Sequence, residues 1–176
     1  MKHVATIREQ DLNPGAVSAD TPVFSRREAA RAVVFDGPKV ALLKVRKRNY
    51  YKLPGGGIEP GEDAKAGLAR EALEEIGCRI EITGEVGEII EYRDQWELQQ
   101  TSSCFLARKI GETQPPEFTA EELDDGFEIV WSPDIATAIK LVKEAKPANY
   151  DGTFIQRRDG LFLEAAKQVV AQPLAG

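Results

Sequence analysis

The feature that most constrains this chain is the 23-residue block Gly56–Cys78, GGIEPGEDAKAGLAREALEEIGC. Its second part predicts a helix over Asp63–Ile76. Alanine, leucine and long-chain helix formers fill it, an acid caps its start and Gly77 ends it. Leu68, Ala69, Ala72, Leu73 and Ile76 recur at helical spacing and predict an inward-packing face. Glu71, Glu74 and Glu75 stand at i, i+3 and i+4, so their carboxylates crowd on another face. Like charges at this spacing cost a helix about 0.2–0.5 kcal/mol per pair. Arg70 relieves part of that through Glu74. A divalent cation would relieve all of it, and clustered carboxylate oxygens are what hard ions such as Mg²⁺ or Mn²⁺ take.

Gly67 lies one turn before Glu71 on the acidic side. A glycine inside a helix costs about 1 kcal/mol relative to alanine. Two readings of it stand side by side: room for a metal-bound phosphate, or close packing against a neighbouring loop. The loop Leu53–Pro54–Gly55–Gly56–Gly57 leads into the block, and its glycines permit close approach of backbone to a ligand.

The rest of the chain reads as short strands alternating with helices. Strands are predicted at Arg31–Phe35, Val40–Val45, Cys78–Ile82, Gly87–Tyr92, Ser102–Lys109 and Phe127–Trp131. Gly111–Asp125 reads as a polar loop. A helix capped by Ser132, with Pro133 in its first turn, is predicted to run to about Ala145, and a last helix spans Leu161–Val170. This alternation favours one mixed sheet flanked by helices. Residues 1–28 read as an N-terminal arm or an extra edge strand, and 29–176 as the domain proper. At 176 residues the chain can bury one sizeable core. Its net charge of -6 disfavours stable nucleic-acid binding. No run approaches the roughly 18 apolar residues of a membrane span, and MKHVATIREQ lacks the apolar core of a signal peptide. Cys78 and Cys104 lie in apolar stretches and read as buried thiols of a reducing compartment, so a cytoplasmic location is expected.

The block resembles the signature of the Nudix hydrolases. That signature is a Gly, five residues, a Glu, seven residues, then Arg-Glu, an apolar residue, any residue, Glu-Glu, any residue, Gly and an apolar residue. Here these are Gly56, Glu62, Arg70, Glu71, Ala72, Glu74, Glu75, Gly77 and Cys78, with every spacing matched. Ala72 and Cys78 are small for the apolar slots, a departure that concerns packing. The resemblance implies an α/β fold, a Nudix-type α/β/α sandwich with a mixed β-sheet flanked by helices. It also implies Mg²⁺-dependent cleavage of a phosphoanhydride bond in a nucleoside diphosphate derivative or nucleoside triphosphate. By the same resemblance Glu74 and Glu75 are the main metal ligands, joined by the Gly56 carbonyl. Glu71 binds a further metal or activates water, Arg70 holds a box glutamate, and Glu62 is auxiliary. Relatives often place a base on a loop before a late strand, which makes Glu121 and Glu122, with Glu117 behind them, candidates here. Homodimers are common among relatives, and residues 1–28 offer an exchange arm.

The remaining signals are weaker. Lys44, Arg46, Lys47, Arg48 and Lys52 form a basic cluster that could meet distal phosphates, and a solvated hairpin explains it as well. Tyr50, Tyr51 or Trp96 could stack on a base, although aromatics more often pack in cores or rims. His3 is the only histidine, which disfavours zinc or histidine chemistry. Tyr150, Arg157, Arg158 and Asp159 could border a pocket, but nothing in their spacing requires it. A nucleotide-sensing module without turnover and a diphosphate isomerase are the alternative functions on such a fold.

Overall fold

In the computed structural model, residues 1–16 and 23–171 are described. Residues 17–22, part of the predicted arm, lie outside them. The elements run β1 (His3–Ile7), α1 (Glu9–Leu12), β2 (Ser25–Asp36), β3 (Lys39–Val45), β4 (Tyr50–Lys52) and α2 (Ala64–Ile76). They continue with β5 (Arg79–Arg93), β6 (Leu98–Ile110), α3 (Ala120–Asp125), β7 (Phe127–Ser132), α4 (Ile135–Glu144) and α5 (Tyr150–Ala171).

Strand alternation builds the layers. In β2, Ala30, Ala32 and Val34 face one side and Val33 the other; in β3, Ala41 and Leu43 oppose Val40 and Leu42; in β6, Phe105 and Ala107 oppose Cys104 and Leu106. Each strand is thus apolar on both faces, as a sheet covered on both sides requires. One core joins the sheet to Leu68, Ala72 and Ile76 of α2. The other joins it to Ala138 and Val142 of α4 and to Phe154, Phe162, Leu163 and Ala166 of α5. The result is the expected helix–sheet–helix sandwich around a mixed sheet of order β1-β5-β6-β2-β3-β4, with β7 paired to β3.

The sheet is split where the site will lie. β2 runs parallel to β6 from Ser25 to Phe35, yet pairs with β3 only at Phe35–Val40 and Asp36–Lys39 beside the turn. Beyond that turn β4 pairs with β3, and the glycine loop bonds to β2: Ala32 N–H donates to Pro54 O at 3.1 Å, Ala30 N–H to Gly56 O at 3.0 Å, and Ile58 N–H to Glu28 O at 3.0 Å. The 50–58 segment therefore fills the opening between two strands of one hairpin.

Several boundaries differ from the sequence reading, for physical reasons. The two strands predicted at 78–82 and 87–92 are one strand, β5, whose register shifts at Ile82/Gly84 and Glu85/Gly87 absorb the break in alternation. β2 and β6 extend into polar residues because each finds a full-length partner in the other. The predicted loop 111–125 contains α3, opened by Thr119 and Glu122 in a reciprocal capping box. Asp134, not Ser132, caps α4, its carboxylate accepting from Thr137 N–H at 2.7 Å. The last helix begins at Tyr150, eleven residues before its predicted start, because glycines 152 and 160 interrupt the sequence pattern but not the packed helix. Both cysteines are free and buried. Among the described residues no helix is long and apolar enough to cross a membrane.

Candidate active site

Helix α2 starts where Asp63 accepts from Lys65 N–H at 2.9 Å and Ala66 N–H at 2.8 Å, and ends at left-handed Gly77. Its buried stripe is Gly67, Leu68, Ala72, Glu75 and Ile76. This corrects the predicted inward face: Ala69 and Leu73 are exposed, and a glutamate is buried in their stead. A charge can be buried there only because it is compensated. One oxygen of Glu75 lies 2.6 Å from Lys52 Nζ, and the other accepts from Gly55 N–H at 2.7 Å. Burial pushes the Glu75 carboxyl above its ordinary pKa, while Lys52 and the Gly55 amide pull it back.

Arg70 organises the other acids. Its guanidinium bonds Glu62 at 3.1 and 3.2 Å, Glu71 at 3.0 Å and, as the spacing predicted, Glu74 at 3.1 Å. The bond from Arg70 holds Glu62 below the usual carboxylate range, with the Glu59 amide adding to it; Glu62 in turn holds Arg70 high. The glycine loop closes over this face. Gly55 has φ 127°, and a Cβ there would lie 2.1 Å from Ala30 O. A Cβ on Gly56 would lie 2.3 Å from Glu71 Oε1, so the Glu71 carboxylate rests against the loop backbone itself. The two readings of Gly67 resolve toward packing: the space beside it is taken by Glu62, whose Oε2 would be 2.8 Å from an added Cβ.

The structure thus brings Gly56, Glu62, Arg70, Glu71, Glu74, Glu75 and Lys52 together. Three others of the basic cluster meet acids elsewhere: Arg46 faces Glu128 at 3.7 Å, Lys47 faces Asp124 at 2.6 Å and Arg48 faces Asp125 at 3.1 Å. Tyr51 lies under Lys44, Tyr50 is buried, and Trp96 packs on Tyr150 with centroids 5.9 Å apart. Glu122 is bonded to Thr119, and Glu121 is exposed on the same short helix. Of the loop acids, Glu117 comes against the carboxylate helix, through its N–H to Glu74 O at 2.7 Å. A cavity of about 200 Å³ opens beside the start of α2, lined by Glu28, Ile58, Glu62, Asp63, Glu88 and Thr101. A larger one, about 420 Å³, lies along α5 and shares no residue with the carboxylate face.

All the donors offered by Glu71, Glu74, Glu75 and the loop carbonyls are oxygens, the set a hard divalent cation takes. The contact between Glu71 and Gly56 sets a carboxylate and a loop backbone side by side, so the residues fit such an ion chemically. As they stand, the acids face Arg70 and Lys52, and among the described residues no group of three His, Cys, Asp or Glu side chains is arranged around a common ion position.

Sequence reasoning named Arg158 and Asp159 as possible pocket borders but missed the buried polar layer they belong to on the α5 face. Arg31, Glu91, Arg93, Gln100, Ser102, Arg158 and Asp159 are all buried. Burial, then the neighbouring Arg158, pulls the Arg31 pKa down to about 10. Each of these residues sits in a strand or helix that reads as apolar or mixed, so no motif marks them; the signal was a polar or charged residue at an inward register position.

Fold and site together define an α/β/α protein with a clustered carboxylate helix under a glycine loop. The model of the NUDIX domain matches residues 25–150, and the chain belongs to the Nudix family. It is similar to an RNA pyrophosphohydrolase of Sulfurovum sp. (strain NBC37-1), 52% identical over 46 residues, 26% of this chain and 29% of that protein. It is also similar to a putative 8-oxo-dGTP diphosphatase of Bacillus subtilis (strain 168), 33% identical over 55 residues, 31% of this chain and 37% of that protein. The matches thus span well under half the length of either relative. Among solved structures, a NUDIX hydrolase from Nitrosomonas europaea superposes with TM-score 0.63 at 16% identity, covering 85% of this chain and 94% of that one. The E. coli ORF135 protein does so with TM-score 0.60 at 19% identity, covering 90% and 100%.

Proposed function

We propose that the protein is a divalent-metal-dependent pyrophosphohydrolase that cleaves a phosphoanhydride bond in nucleoside diphosphate derivatives or nucleoside triphosphates. The observation that carries this reading is the three-carboxylate face of α2 pressed against a glycine loop and balanced by Arg70 and Lys52. Glu71, Glu74 and Glu75, with the Gly56 carbonyl, would hold Mg²⁺ or Mn²⁺, through the oxygens that Arg70 leaves free on Glu71 and Glu74 and the one that Lys52 gives up on Glu75. When bound, such an ion supplies neutralisation of the phosphate oxygens and activation of water.

The chain's own groups do the rest. Glu71 is the acid best placed to accept a proton, since it is only partly exposed and touches the loop where a phosphate would approach. Arg70 keeps Glu62, Glu71 and Glu74 in one orientation. Lys52, released from Glu75, is the cation of the basic cluster available to a phosphate; Arg46, Arg48 and Tyr51 would act farther out. Glu121 is the second choice as a base, because Glu122 is committed to its cap. The names of the two relatives, one acting on RNA and one on 8-oxo-dGTP, support a substrate with a 5′ polyphosphate.

Glu74→Gln and Glu75→Gln should each abolish turnover while leaving the fold intact by circular dichroism. The assay is a panel of ADP-ribose, diadenosine polyphosphates, 8-oxo-dGTP, canonical triphosphates and 5′-triphosphorylated RNA with Mg²⁺, products identified. Retained turnover in both variants would contradict the assignment. Nucleotide binding without phosphate release would favour a sensing module.

A further inference from the structure

We propose that Asp159 is a positioning residue for the carboxylate site: from α5, on the far face of the sheet, it fixes the Leu53–Gly55 segment and, through the Gly55 N–H, the orientation of Glu75. The inference rests on the reading of Glu75 as a metal-holding carboxylate given above.

The argument starts from the donors of the loop. Between Lys52 and Gly56 the backbone has two N–H groups, at Leu53 and Gly55, because Pro54 has none. Each is taken by a buried carboxylate from a different helix. Leu53 N–H donates to Asp159 Oδ2 at 2.8 Å, and Gly55 N–H to Glu75 Oε2 at 2.7 Å. Asp159 and Glu75 lie on opposite sides of the sheet, so the segment is clamped from both layers. Hydrogen bonds to an ionised acceptor are roughly twice as strong as neutral ones. A neutral carbonyl would satisfy the Leu53 amide, and burying a charge to do so is costly unless the charge is paired.

Asp159 is paired, and its partner is held in turn. Arg158 Nε donates to Asp159 Oδ1 at 2.7 Å, and Arg158 Nη1 lies 3.4 Å from Glu91 Oε2. Glu91 also accepts from Arg93 and Gln100, each at 2.9 Å. Asp159 is fully buried in this lattice and has no freedom to follow the loop if the loop moves. It has no hydrogen bond to the carboxylates on α2, and its bonded route to them is the backbone of residues 53–55; the buried Arg31, which feels both Asp159 and Glu75, is the through-space link that an uncharged loop substitution leaves intact. Glu75 spends its other oxygen on Lys52, the residue directly before Leu53, so a shift of the clamp displaces both partners of Glu75 together.

The test compares Asp159→Asn with wild type. Asparagine keeps the shape, but Leu53 and Arg158 donate to different oxygens of Asp159, and in asparagine one of those positions is an NH2 that cannot accept. Three quantities are read: kcat and KM for the best nucleotide, Mn²⁺ affinity by water-proton relaxation, and hydrogen exchange at the Gly55 amide. Loss of a group that orients a metal ligand typically costs 10–100-fold in metal affinity or activity. The expectation is therefore a fall of at least about 10-fold in kcat and in Mn²⁺ affinity, with KM unmoved and Gly55 exchange faster. Whether or not Asp159→Asn folds, an ester linkage in place of the Leu53 amide removes only that N–H, leaves the Asp159–Arg158 pair intact, and should give the same losses. Wild-type kcat and Mn²⁺ affinity in the folded ester-substituted protein, which has no Leu53 N–H to give, overturn the proposal. Glu75→Gln run in parallel separates the two levels. If it loses Mn²⁺ while the ester-substituted protein does not, only the positioning role fails. If Glu75→Gln binds Mn²⁺ like wild type, the reading of Glu75 fails and this inference falls with it.

Discussion

Replacing Lys52 by methionine should destabilise the protein more than any exposed ion-pair change. The Lys52 side chain is 13% exposed and that of Glu75 3%, and their charged atoms are 2.6 Å apart. Removing one member of a buried pair costs about 3–5 kcal/mol, because the other charge is left uncompensated. Glu75 keeps the Gly55 N–H, and Lys52 is not wholly buried, so the lower end, about 3 kcal/mol, is the value to expect. For a chain of 150–250 residues each kcal/mol moves Tm by roughly 2–4 °C, which gives a fall of roughly 6–12 °C. The measurement is calorimetric or urea unfolding in EDTA. The double variant Lys52→Met with Glu75→Gln should recover part of the loss, since the neutral amide strands no charge and its oxygen still accepts the Gly55 N–H. Two results would refute the reasoning: a single variant within about 1 kcal/mol of wild type, the worth of an exposed pair, or a double variant no more stable than the single.

Other expectations follow from the same geometry. Gly56→Ala places a methyl 2.3 Å from the Glu71 carboxylate, so turnover should fall steeply while the melting transition stays cooperative; unchanged kcat would show that Glu71 has room to move. Asp134 caps α4, and its bonds to Thr137 hold it below its usual value of 3.8. A depressed pKa contributes stability above the unfolded value and loses it as pH falls through the folded one. The Tm difference between wild type and Asp134→Ala should therefore be constant near neutrality and shrink below about pH 4; a difference that persists at pH 2 would assign it to packing. Thr119→Ala removes one partner of the Glu122 capping box and should lower stability by about 1 kcal/mol in urea unfolding. The N–H of residue 119 still donates to the Glu122 carboxylate at 2.8 Å in that variant, so kcat should stay unchanged.

The Gly56–Cys78 block determined, by itself, a helix with an acidic face, the Arg70–Glu74 bond and the glycine loop beside it. These rest on interactions within a few residues, which spacing alone specifies. The alternation of short strands with helices likewise implied a mixed sheet flanked by helices. Tertiary structure decided that Glu75 is buried on Lys52 and that Leu73 is exposed. Both depend on where a separate segment lands, Lys52 and Gly55 in the first case and the packed layers in the second. The pairing of Glu91, Arg93, Arg158 and Asp159 into one charged layer was invisible for the same reason. Its members are 67 positions apart at the widest bond between them, and 106 from the Leu53 amide that Asp159 accepts. Whether a buried charge is a liability or a clamp depends on the partner across the fold, and a linear pattern carries no record of that partner.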